Sequence, residues 1–353
     1  MARWGTALAS IMLAACGLEI AGTGTSDVTP GGPAPSGTES GAGAPAPAPA
    51  GTNGDTDPDP TTPVTDGGRD DDTARVAAGT VQQLATGLGA MRAIAVRDDG
   101  VYVAVSGPAQ RVRRTPGGGA AQSVPAIDGA TSLFTSGNDL YWINDTNVGR
   151  YPSASHGGES GGRDVVVANG RVLAAWNNYV ESYRTSDFSD EQRHNSSSGI
   201  TPVAVAGDAT KIYWADSKTN GIHRGDWTQS NGASWSGATA PTALFADDAS
   251  VYFTTNTTVH RVMKTSGGAS NEVAGGLAKP VSLVGDDSHL YWFEATTGAL
   301  RRRPKQAASA APSELIASGP AFPAGAYPRL IVVTADWVYF GHPGAGTVSR
   351  YKK

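Results

Sequence analysis

The sequence predicts an all-β fold made of seven copies of one four-stranded unit, and three observations lead there. First, an aliphatic–Tyr step recurs: Val101-Tyr102, Leu140-Tyr141, Ile212-Tyr213, Val251-Tyr252, Leu290-Tyr291 and Val338-Tyr339, with Trp142, Trp214, Phe253, Trp292 or Phe340 following five of them. Second, the tyrosines stand 39, 72, 39, 39 and 48 residues apart. The gap of 72 holds a degenerate copy, Arg171-Val172-Leu173-Ala174-Ala175-Trp176, with Leu173 in the Tyr place. Third, every copy carries the same order of apolar strand, polar turn and Tyr strand. Seven copies at about 40 residues match the period of a β-propeller blade.

The elements follow in order. Each copy opens on an apolar strand: Arg92–Val96, Thr131–Phe134, Asp164–Val167, Pro202–Val205, Thr242–Phe245, Val281–Val284 and Leu330–Val333. A tight turn comes next, at Asp98-Asp99-Gly100, Gly137-Asn138-Asp139, Asn169-Gly170, Asp208, Asp247-Asp248, Asp286-Asp287 and Asp336. Asp, Asn and Gly suit such turns because they tolerate left-handed φ or bond their own backbone. The Tyr strand is the hairpin partner. A third strand then ends in a base, as at Val112-Arg113, Val148-Gly149-Arg150, Ile222-His223-Arg224, Val259-His260-Arg261, Leu300-Arg301-Arg302 and Val348-Ser349-Arg350. A Gly-rich bend leads to a fourth, outer strand. The recurring Arg is expected to pair with a turn Asp or to lie in solvent.

The last copy stops after its third strand, at Lys353, while Val81–Ala85 stands as an orphan strand before the first copy. The orphan is expected to complete the seventh blade, which removes a free sheet edge. The second copy is short, so its outer strand is expected to be missing or distorted near Ser155–Gly162. Residues 304–329 are extra length between blades six and seven.

The N-terminus has a different character. Arg3 precedes a short apolar run, Ala7–Ala15, of signal-peptide length, and the run ends in Leu13-Ala14-Ala15-Cys16. This resembles the lipobox of bacterial lipoproteins, in which the chain is cleaved before a lipidated Cys. The resemblance implies residues 1–15 as signal peptide and Cys16 as lipid attachment, hence a partner membrane. Gly17 in place of Asp implies the outer membrane of the cell envelope, on its periplasmic or its surface side. Residues 16–75 read as a disordered Pro/Gly/Ala/Asp-rich tether, because they lack the apolar surface that would offset ordering entropy. The tether carries ten acids and two bases, a balance of −8, whereas residues 76–353 hold 24 bases and 22 acids. The net charge of −5 therefore belongs to the tether. Asp55, Asp57 and Asp59 echo a calcium loop but lack its Gly and distal Glu.

The composition excludes several classes. One Cys permits no intrachain disulfide. No run of 18 apolar residues exists to span a bilayer as a helix. The charge balance speaks against a nucleic-acid partner.

Tyr213-Trp214-Ala215-Asp216 and its counterparts resemble the YWTD-type propellers of the low-density-lipoprotein-receptor class. Residues from about 79 to 353 are similar overall to seven-bladed propeller lipoproteins of Gram-negative bacteria. Seven copies depart from the six blades of the YWTD class, and Ala215 stands where that class has Thr. The resemblance implies blade architecture and an extracytoplasmic setting, and carries over no ligand.

No HExxH, P-loop or Rossmann fingerprint appears. His223 and His260 share a repeat position, which reads as blade grammar. Trp227, Trp235 and Trp337 fall outside the Tyr repeat, as sugar platform or as packing. The position three after the repeat Tyr differs in every copy: Val105, Asn144, Trp176, Asp216, Thr255, Glu294 and His342. Asn144, Asp216, Glu294 and His342 are thus the candidate central-channel ligand site, able in principle to take a divalent metal such as calcium or a polar ligand. Two functions remain open. One is a non-catalytic binding or scaffold module for a protein or glycan, without a cofactor. The alternative is a metal-dependent hydrolase or lyase using the polar ring.

Overall fold

The computed structural model describes residues 76–353, except 153, 159, 196–198, 230, 231 and 308–310. The expected signal peptide, the expected lipid attachment at Cys16 and the expected tether lie outside the described residues. Twenty-eight strands form seven four-stranded antiparallel sheets. Blade one is β2 (Ala93–Arg97), β3 (Gly100–Ala104), β4 (Pro108–Val112) and β5 (Gln122–Asp128). Blade two is β6 (Ser132–Ser136), β7 (Asp139–Ile143), β8 (Asn147–Tyr151) and β9 (Ala154–Gly157); blade three is β10 (Asp164–Ala168), β11 (Arg171–Ala175), β12 (Val180–Arg184) and β13 (Gln192–Arg193). Blade four is β14 (Pro202–Gly207), β15 (Lys211–Asp216), β16 (Gly221–Asp226) and β17 (Ala233–Gly237); blade five is β18 (Ala243–Ala246), β19 (Ser250–Thr254), β20 (Val259–Met263) and β21 (Ser270–Ala274). Blade six is β22 (Pro280–Gly285), β23 (His289–Glu294), β24 (Ala299–Pro304) and β25 (Glu314–Ala317). Blade seven is β26 (Ile331–Val333), β27 (Trp337–His342), β28 (Thr347–Lys352) and, from the other end of the chain, β1 (Val81–Ala85).

The orphan strand is therefore the clasp. β1 pairs with β28, Val81 opposite Tyr351 and Gln82 opposite Arg350. Arg350, fully buried, donates from Nε to Gln82 Oε1 at 2.9 Å. The short second copy does have an outer strand, β9; the stunted one is β13, with two residues.

The hairpin turns behave as their residues dictate. Asn169 (φ 50°) and Gly170 (φ 66°) both take left-handed backbone, the primed turn that matches strand twist. Asp208, Asp247 and Asp286 each accept two backbone N–H bonds on Oδ1 from the residues that follow, and Asp208 and Asp286 accept their own blade's Tyr hydroxyl on Oδ2. The same Oδ2 of all three receives a lysine from the next blade: Lys264 on Asp208 at 2.5 Å, Lys305 on Asp247 at 2.6 Å and Lys353 on Asp286 at 3.1 Å. Burial pushes the Asp208 carboxyl up, but Lys264 and the turn amides outweigh it and hold the group well below the usual range.

In six blades the repeat Tyr stands directly opposite an Arg of the third strand: Arg111, Arg150, Arg224, Arg261, Arg302 and Arg350. In blade one this is Arg111, paired with Asp99 at 3.2 Å, and the exposed Arg113 is not the repeat residue. Blade three has Leu173 opposite Ser182 instead. The core lies between blades, where Trp176, Trp214, Trp292 and Trp337 are fully buried.

Candidate functional site

The varied position closes the second strand, so it is the turn to the third strand that claims its side chain. Asn144 Oδ1 accepts the N–H groups of Thr146 (3.0 Å) and Asn147 (2.8 Å), and its Nδ2 donates to Asp128 O. Asp216 is fully buried. Its Oδ1 accepts from Thr201 N (2.8 Å) and Lys218 N (2.9 Å), its Oδ2 from Thr219 Oγ1 (2.6 Å), and His223 Nε2 lies 3.5 Å away. Glu294 forms an ion pair with Arg301 at 2.9 Å and accepts from Thr297 Oγ1 at 3.1 Å. His342 Nε2–H donates to Gly298 O at 3.0 Å, and its Nδ1 accepts Ala345 N–H at 3.2 Å. The bond accepted at Nδ1 needs the neutral ring, and burial lowers the pKa in the same sense, against the Gly298 carbonyl, which favours the charged form.

The four side chains share one face of the ring, at the ends of β7, β15, β23 and β27. No hydrogen bond or ion pair joins any two of them; Asn144 is spent on its own turn and on Asp128 O of blade one, Asp216 on its own turn and on Thr201 N, Glu294 on Arg301 and Thr297, and His342 on tying blade seven to blade six. Among the described residues, no three His, Cys, Asp or Glu side chains are grouped so as to hold a metal ion.

The axis at that face is occupied by a different pair. Arg329, just before β26 of blade seven, donates from Nε to Asp164 Oδ1 at 2.8 Å and from Nη2 to Asp164 Oδ2 at 3.0 Å. Its Nη2 also reaches Val205 O at 3.0 Å. Blades three and four stand opposite blade seven in a sevenfold ring, so this side chain spans the channel. Asp164, 1% exposed, also accepts Ser132 Oγ–H and the N–H groups of Val165 and Val205. Sequence reasoning missed this tie. Its one signal is that Asp164 alone puts a carboxylate at the start of an inner strand; in the structure the other inner strands open on Ala, Ser, Pro or Ile.

Residues 318–329 form a strap beside it. Phe322 N–H bonds Ala295 O at 2.8 Å, and the Phe322 ring packs against Phe293, Tyr327 and His342. Gly319 lies flat on the imidazole of His342; a Cβ there would sit 2.3 Å from Nε2.

His223, His260, His194, Trp227 and Trp337 are packed within the blades. His223 stacks on Trp214 (5.1 Å, 7°) and His260 on Phe253 (5.0 Å, 9°), each directly across the strand pair. His194 is buried, with Nε2 2.9 Å from Ser182 Oγ, and Arg171 Nε donates to the same hydroxyl. Burial lowers its pKa to about 4. That Ser–His contact is sealed from solvent, with Ser182 itself fully buried. Trp227 is buried with its indole N–H on Asp208 O, and Trp337 lies beneath Arg350. Sequence reasoning found no G-x-S-x-G, yet Gly158-Glu159-Ser160-Gly161-Gly162 spells it; the element that follows is the strand β10 and not a helix, so the strand-to-helix elbow that the motif needs is lacking.

No family model matches the chain, and no curated protein is a significant match to it. Solved structures do match. A catalytically inactive virginiamycin B lyase from Staphylococcus aureus, crystallised with quinupristin, is 13% identical; the match covers 78% of this chain and 99% of that one, with a TM-score of 0.61. The selenomethionine form of the lyase gives 14% identity, 78% and 98% coverage and a TM-score of 0.57. The computationally designed protein Ika8 gives 13%, 77% and 98%, and 0.54. Identities this low speak to fold alone. Residues 76–353 are a seven-bladed β-propeller.

Proposed function

We propose that this chain is a lipid-anchored, extracytoplasmic β-propeller lipoprotein of the cell envelope that acts as a non-catalytic binding or scaffold module for a protein or glycan. One observation carries the reading. A frame of Tyr–Arg strand pairs in six blades, with Asp–Lys ties at three seams, holds seven second-to-third-strand turns that are different in every blade. A rigid scaffold presenting non-identical loops is the arrangement that recognition uses. The anchor follows from Leu13-Ala14-Ala15-Cys16, and the outer membrane from Gly17.

The test has two arms. Cys16→Ser is expected to move the protein from the membrane fraction to the soluble fraction; retention at high salt refutes the anchor. Immobilised intact chain is expected to capture a component of envelope extract through the variable turns. Capture that is insensitive to every substitution in those turns refutes the binding reading.

A further inference from the structure

We propose that the face carrying the second-to-third-strand turns docks a neutral polysaccharide. This rests on the binding-module reading and names its face and ligand class.

The two sets of hairpin turns, one at each end of the blades, differ in chemistry. First-to-second-strand turns all emerge at one end of the blades, and between the strand ends they carry Asp98, Asp99, Asp208, Asp247, Asp248, Asp286, Asp287 and Asp336. Second-to-third-strand turns emerge at the other end. They read VSG, NDT, WNNY, SKTN, TNTT, ATTG and PGAG, with Asp145 and Lys218 as their only charges. An amide or hydroxyl both donates and accepts, which is what a sugar hydroxyl requires of its partner. Neutral groups also cost less to desolvate than ions.

Several of these groups are exposed and make no hydrogen bond through their side chains: Asn178 in blade three, Asn256 and Thr257 in blade five, and Thr296 in blade six. Ser217–Asn220 of blade four continues the arc between them. Tyr179, half-buried beside Asn178, supplies an aromatic ring, backed by the Arg193 guanidinium 3.7 Å from its centroid. The Arg329–Asp164 tie closes the axis, so the ligand lies along the rim.

A protein partner fits this face less well. Protein hot spots are desolvated aromatic, Arg and large apolar anchors. Among the described residues the exposed large apolar side chains are Val81, Met263 and Leu315, on β1, β20 and β25, none of them in these turns.

The experiment is native-gel affinity electrophoresis of the intact chain in mild detergent, through gels containing dextran, hydroxyethyl cellulose, xyloglucan or the acidic polymer alginate. Two variants accompany it: Asn178→Ala/Asn256→Ala/Thr257→Ala in the second-to-third-strand turns, and Asp248→Ala/Asp287→Ala in the first-to-second-strand turns, each checked for an unchanged unfolding midpoint. A neutral polymer is expected to retard the protein equally at low and high salt. The triple variant should lose at least tenfold in affinity and the double variant none. Retardation by alginate alone, salt-sensitive retardation, loss in the double variant, or no retardation by any neutral polymer overturns the proposal. If an envelope protein is captured instead, and lost in the triple variant only, the ligand class falls while the binding module stands. If neither polymer nor protein is captured, both fall.

Discussion

Arg329 and Asp164 meet across the ring axis in a two-pronged ion pair, Nε to Oδ1 at 2.8 Å and Nη2 to Oδ2 at 3.0 Å, although 165 residues separate them in sequence. The bond joins blade seven directly to blade three, and through Val205 O to blade four. Removing one partner of a buried pair strands the other, at about 3–5 kcal/mol. Arg329→Ala leaves Asp164 its three uncharged donors and is expected at the lower end. Asp164→Ala strands the guanidinium together with Val205 N–H and is expected to cost more. Urea unfolding midpoints at constant m-value measure both; equal and negligible shifts would remove the tie from the account of stability.

The clasp makes a second expectation. Deleting residues 76–86 removes β1, exposes the edge of β28 and takes Gln82 from Arg350. An unpaired edge templates association. The variant should unfold at a lower temperature and show dimers or larger species by light scattering. A monomer with the parent's midpoint would show that β1 is not the closure.

The blade count, the clasp and the hairpin turns were legible in the sequence because each is local and repeated: a Tyr every 39 residues or so, an Asp or Asn-Gly at each turn, one strand left over. The Arg329–Asp164 tie was not, because nothing local links two residues that meet only once the ring is closed. The varied position was visible, but its role was harder to read. A polar residue at a strand end can face a ligand or cap its own turn, and that depends on whether free N–H groups follow. They do at Asn144, Asp216 and His342.

Acid should weaken the fold through its histidines. Burial lowers the pKa of both His194 and His342, and outweighs backbone hydrogen bonds that favour the charged ring; at His194 the nearby Arg171 charge adds to the lowering. A histidine whose folded pKa is depressed contributes stability above the unfolded value near 6.5, and that contribution is lost as pH falls toward the folded pKa. For His194, with a folded value of about 4, the loss is on the order of 3 kcal/mol by pH 4. The stability difference between pH 7.5 and pH 5 should shrink in His194→Gln. An unchanged difference would place the proton uptake elsewhere.

The last expectation concerns the seams between blades. Lys264, Lys305 and Lys353 occupy one repeat position and reach the turn carboxylate of the preceding blade at 2.5, 2.6 and 3.1 Å. Lys305 is 7% exposed and Lys353 21%, so the three differ chiefly in screening. A hydrogen bond between charged groups is worth about 1.5–3 kcal/mol when sheltered and less when wet. Substitution by Met keeps the apolar stem and removes only the ammonium. Lys305→Met should therefore cost most, about 2 kcal/mol, and Lys353→Met least. The carboxylates they hold are depressed below their usual range, so the contribution persists above pH 4 and fades below it as the acids protonate. Each seam lies between a different pair of blades, and separate sites add. The triple variant's shift in urea midpoint should then equal the sum of the three single shifts. A triple shift well beyond that sum would mean that the ring transmits strain from seam to seam, and that the ties act as one belt.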